Sequence, residues 1–118
     1  MDESILTTIK RLLGIAPDYT PFDPELVIHI NSYLGVLNQL GVGLSDFRIT
    51  GDSETWSDFL GDTTALKLHE IKEYIFLRVK MVFDPPASSI VSAAIDKNID
   101  ELGWRIREAV EHEAATKE

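Results

Sequence analysis

Four carboxylates, Asp52, Glu54, Asp58 and Asp62, gather around Gly51 and could suggest calcium. An EF-hand calcium loop turns on a glycine at its sixth position and closes on a glutamate at its twelfth. Counted from Asp52, the sixth position is Ser57, so helix capping and solvation are the expected work of these groups. His69 and Glu73 stand one helical turn apart and could face one ion. A helical zinc motif needs a second histidine at that spacing, and none is present. His29 and His112 fall on other helices without recognisable partners and read as ordinary surface histidines. No serine sits in a nucleophile-elbow pattern, and Gly41-Val42-Gly43 is too short, and lacks the following Lys-Ser/Thr, for a phosphate loop. The residues offer no catalytic constellation, cofactor site or metal site, and the chain is not expected to be an enzyme.

Larger side chains point to contacts instead. Arg105 and Arg107, with Lys97, form the positive group of the last helix. The interleaved Glu101, Glu108 and Glu111 favour intrahelical ion pairs, with a subunit or partner contact as the alternative. Trp56 and Trp104 suit a small core, and interface anchoring is the other use of so large a ring. Trp104 lies two residues from both Leu102 and Ile106, off the main apolar stripe, which makes it the better interface candidate.

These side chains need a frame. The 118 residues fit one domain, and a hydrophobic fraction of 44% supports a core without disulfides, of which there are none because there is no cysteine. No stretch reaches the roughly 18 apolar residues of a membrane span. Met1-Asp2-Glu3 lacks the basic start of a signal peptide, so the protein is expected to stay where it is made. A net charge of -9 repels phosphate and disfavours DNA reading. It does not disfavour surrounding DNA, where an acidic wall lets the polymer slide.

The spacing predicts an all-α protein: a bundle of about four helices with an irregular loop between the second and third. Ile5, Leu6, Ile9, Leu12 and Leu13 share one face of a first helix over Glu3 to Leu13, stopped by Gly14. A proline-bearing connector follows. Asp23-Pro24-Glu25 then opens a second helix, with Asp23 as its cap, a stripe of Leu26, Ile30, Tyr33, Leu34, Leu37 and Leu40, and a flexible exit at Gly41-Val42-Gly43. Gly35 within it suggests close packing. In the irregular region, Phe47 to Thr50 alternates like a short extended piece and Trp56 to Leu60 makes one or two helical turns. Its Phe47, Ile49, Trp56 and Phe59 must pack on their own domain or on a partner. A third helix is expected from about Thr63 to Phe83, capped by Asp62 or Thr63, and apolar almost all round at Tyr74-Ile75-Phe76-Leu77. After Asp84-Pro85-Pro86, Ser88 or Ser89 caps a long fourth helix striped by Val91, Ile95, Ile99, Leu102, Ile106 and Val110. Residues from about 111 to 118 carry no stripe and are expected to fray.

The order of these features resembles the head-tail connector, or adaptor, proteins of tailed bacteriophages and prophages. The resemblance rests on Phe47 to Asp52, Trp56 to Leu60, Tyr74 to Val79, Phe83 to Pro86 and Ile99 to Arg107, and Gly103 departs from it as a weak helix former. It implies a structural adaptor that forms a ring of roughly a dozen subunits joined by unlike surfaces. That ring would sit beneath the portal protein, meet a stopper or tail-completion protein, and encircle DNA without binding it specifically. The place of work would be the neck of the virion, and the host bacterial cytoplasm during assembly. The expected subunit or partner contacts are Phe47, Arg48, Trp56, Phe59, Phe76, Trp104, Arg105, Arg107 and His112. A small acidic helical regulatory module of the antitoxin kind is the competing expectation, and it would form a small discrete complex.

Overall fold

The computed structural model describes residues 3–61 and 68–116, with backbone alone for 113–116. Among these residues five helices follow one another: α1 (Ile5–Leu13), α2 (Asp23–Gln39), the single-turn α3 (Trp56–Leu60), α4 (Leu68–Phe83) and α5 (Ser89–Thr116). There is no strand among the described residues. The alternating Phe47 to Thr50 piece is loop, and the single bridge pairs Ser4 with Thr55.

Each helix is bounded by local chemistry. Ser4 caps α1 by accepting the Thr7 amide, and Gly14 ends it at φ 83°, where a side chain would be strained. Thr55 and Asp58 exchange hydrogen bonds in a capping box that starts α3. Ser88, rather than Ser89, caps α5, its hydroxyl accepting the Val91 amide. The Asp62 and Thr63 caps expected for the third helix lie outside the described residues. At α2 the expectation fails: Phe22 occupies the cap position without a side-chain bond, and Asp23 is already helical. Its carboxylate is drawn away by Lys10, whose buried Nζ stands 2.8 Å from Oδ1 in an ion pair rather than an aligned hydrogen bond. The same ammonium donates to the carbonyls of Pro17 and Tyr19, so one cation fixes both ends of the α1–α2 connector.

α4 is the hub and packs on α1, α2 and α5, which explains why it is apolar on several sides. Ile5, Leu6 and Ile9 of α1, the Leu26-Ile30-Leu34-Leu37 stripe of α2, and Ile71, Tyr74, Ile75 and Val79 of α4 form the core. Ile99, Leu102 and Ile106 of α5 close it. The loop contributes Ile49, Trp56 and Phe59, all buried. Asn31 holds Ile49 by bonding both its amide and its carbonyl.

Three details depart from the sequence reading. Gly35 has open space around it and marks no close packing. Gly41 and Gly43, at φ 95° and 80°, do not form a loose exit: a side-chain carbon would sit 2.7 Å from Val110 at Gly41 and 2.4 Å from Phe59 at Gly43. Finally, Val91 is exposed at the head of the α5 stripe, ahead of half-buried Ile95 and buried Ile99, Leu102 and Ile106. α5 has 28 residues, a length of about 42 Å. That nearly equals the 46 Å long dimension of the molecule, so its first turns extend past the core. Its backbone is helical through Thr116, beyond Val110 where the apolar stripe ends.

Candidate subunit and partner interface

The buried stripe of α2 divides its exposed surface in two. Asn31, Gly35 and Asn38 each follow a stripe position and turn to one flank. Tyr33 and Val36 each precede one and turn to the other. A groove runs along each flank.

The first groove, about 430 Å³, lies between α2 and the loop after it, lined by Ile28, Asn31, Gly35, Leu44, Asp46, Phe47 and Arg48 among others. Ile28 and Leu44 are 65% and 52% exposed. Phe47 is half-buried with its ring 5.4 Å from that of Phe59, and Arg48 is exposed beside it. Asp46, at φ 62°, is the one described non-glycine residue in the left-handed region, a conformation that aspartate tolerates better than most side chains.

The second groove, also about 430 Å³, lies between α2, α4 and α5 and includes Leu40, Tyr74, Arg78, Asp100, Gly103, Trp104 and Arg107. Trp104 is 63% exposed. Arg78 is half-buried: its guanidinium carbon lies 5.5 Å from the centre of the Tyr33 ring and 5.3 Å from that of Tyr74. Two of its nitrogens donate to the Tyr74 hydroxyl. Neither Arg78 nor Arg107 has an ion pair among the described residues. Arg105 does, with Glu101 at 2.6 Å and Glu70 at 3.6 Å.

The remaining predicted contacts scatter. Trp56 and Phe59 are 1% and 0% exposed and pack in the core, so neither presents surface to a partner in this structure. The indole N–H of Trp56 donates to Thr8 Oγ1, which donates in turn to Glu3. Phe76 is half-buried in a shallow depression with Leu12, His69, Lys72 and Glu73, and His112 is exposed on the last turns of α5. Thus Phe47 and Arg48 share one flank, Trp104 and Arg107 the other, and Phe76 and His112 neither. Arg78, Leu44 and Ile28 line these grooves and are not among the expected contacts. A signal existed for Arg78, a lone cation within Tyr74-Ile75-Phe76-Leu77-Arg78-Val79, four residues after a tyrosine.

Two of the carboxylates that suggested a metal, Glu54 and Asp58, have structural work. Glu54 accepts from the Thr50 amide and hydroxyl and from the Gly51 amide. Burial pushes its pKa upward, but these hydrogen bonds outweigh it and hold the carboxyl below its usual range. Asp58 belongs to the α3 capping box, and Asp62 lies outside the described residues. His29 pairs with Glu25 at 3.4 Å. Among the described residues, no three His, Cys, Asp or Glu side chains converge as metal ligands would, and no helix is long and apolar enough to cross a membrane.

Among the described residues the helices frame two unlike, partly apolar grooves, and the titratable groups are scattered. The family model of the phage connector proteins matches residues 5–113, and the chain belongs to that family, which is structural rather than catalytic. Comparison with curated proteins and with solved structures gave no match.

Proposed function

We propose that this protein is a head-tail adaptor: a ring of subunits that docks beneath the portal, receives the stopper or tail-completion protein, and surrounds the passage for DNA in the neck of the virion. The observation that carries this reading is the connector-family match over nearly the whole chain. The two dissimilar grooves on opposite flanks of α2 support it, because a closed ring built head to tail uses two different surfaces of each subunit. The net charge of -9 supports it as well: an acidic wall repels the phosphate backbone and gives DNA nothing to grip. In this reading the end of α5 beyond Val110, which lacks an apolar stripe, gains its packing on the portal.

Multi-angle light scattering with negative-stain imaging, over a concentration series and with the portal protein encoded nearby, tests the reading. Rings, alone or on the portal, are the expected result. A monomer or dimer indifferent to the portal would replace it with the regulatory module. Two further checks separate its parts. Duplex DNA should give no gel shift at ordinary salt, and truncation at Glu111 should weaken binding to the portal.

A further inference from the structure

Resting on the ring reading, we propose that the Arg78–Trp104–Arg107 groove is one half of a head-to-tail contact and receives the turn of residues 44–52 from a second copy of this chain.

The argument begins with Arg78. A guanidinium taken partly out of water needs a carboxylate or a full set of acceptors. Arg78 has two tyrosine faces and one phenolic oxygen, and no carboxylate within ion-pair distance among the described residues. Arg107, in the same groove, also has no ion pair among the described residues, although the chain carries twenty acidic residues against eleven basic ones. The groove is therefore a cationic spot on an anionic molecule, and a further copy of that molecule is a ready source of counter-charge.

The charge patterns identify which part of the second copy fits. The groove presents two arginines and one carboxylate, Asp100. The turn of 44–52 presents the inverse, Asp46 and Asp52 with Arg48, all exposed and without ion pairs among the described residues. Leu44, 52% exposed at the head of that turn, gives Trp104 an apolar surface to cover. Position supplies the last element. The turn lies on one flank of α2 and the cationic groove on the other, so one subunit's turn can fill its neighbour's groove while its own groove stays open for the next. Such a contact propagates around a ring and does not stop at a dimer.

The test uses the full-length chain, alone and on the portal. Ring formation is followed by light scattering and negative stain. Water access to Trp104 is followed by acrylamide quenching, with Trp104→Phe isolating the buried Trp56 signal. The expected result is that assembly shields Trp104, that Arg107→Glu and Asp52→Lys each weaken association about tenfold, and that the two changes together recover most of the loss. Thermal melting by circular dichroism checks that each variant folds, with Arg107→Gln and Asp52→Asn as the milder pair. Rings in which Trp104 stays as open to quencher as in the monomer, or Arg107→Glu rings of undiminished affinity, would overturn the contact and leave the ring reading intact. Failure of the wild-type chain to assemble even on the portal would overturn both.

Discussion

Trp56 and Trp104 stand in similar company in the sequence, each with carboxylates within four positions on either side, yet one is 1% exposed and the other 63%. The difference lies in what each indole found within the chain. Trp56 is carried inward by α3, donates its N–H to Thr8 and lies under the Lys72 ammonium, 5.9 Å from the ring centre. Trp104 sits off the Ile99-Leu102-Ile106 stripe that attaches α5 to the core, and its ring borders a groove in place of filling one. An aromatic residue that has satisfied its polar atom and its apolar faces at home is spent on stability. One that has not retains its area for a partner.

Substituting each ring by alanine should widen the contrast most. Trp56→Ala is expected to cost about 4 kcal/mol of unfolding free energy, read from urea or guanidinium titration. Trp104→Ala should stay within about 0.5 kcal/mol of wild type while weakening assembly. Equal costs would erase the distinction. Thr8→Val isolates the polar part of the Trp56 site: it leaves the indole N–H without its acceptor in a dry environment, for an expected loss of about 1–2 kcal/mol, with altered near-ultraviolet circular dichroism. On the other side, Gly103→Ala should stabilise the fold by up to about 1 kcal/mol. The added carbon would rest 3.6 Å from the Tyr74 ring, an ordinary contact, so helix propensity decides the sign.

The smallest effect concerns acid. Hydrogen bonds from Arg11 and then Thr8 hold the Glu3 carboxyl below its ordinary value of 4.5, with burial opposing them. A carboxyl depressed in the folded state contributes stability that is present above its unfolded pKa and disappears as pH falls through the folded one. Wild type should therefore lose slightly more stability than Glu3→Gln between pH 5 and the acid limit, in melts at matched ionic strength. A parallel decline in the two proteins would detach Glu3 from the Trp56–Thr8 network.

Much of the frame was legible in the residues. Periodicity placed the long helices, Gly14 and Pro85-Pro86 marked two of their ends, and the all-round apolarity of Tyr74 to Leu77 announced a helix covered on several sides. What escaped has a common cause. A stripe tells which side of a helix is apolar, but not how far along its length something covers it, so Val91 looked equivalent to the buried positions further along α5. Capping statistics favoured Asp23 as a cap, and could not register a lysine thirteen positions earlier that would claim its carboxylate. The interface suffered most. Phe47, Trp56 and Phe59 occur together in the sequence, but only the fold separates the two that turn inward from the one at a groove's rim, and only the fold brings Arg78 beside Arg107.

Lys10 has one more consequence, in chemical reactivity. Its amine is occupied by two carbonyls and a carboxylate and is 2% exposed, so a water-soluble acylating reagent cannot reach it while the connector between α1 and α2 stays closed. The other described lysines, 72, 80 and 97, keep more contact with solvent and should label first. Labelling at Lys10, counted by peptide mass spectrometry, would then time the opening of that one connector and act as a built-in clock for local unfolding at that place.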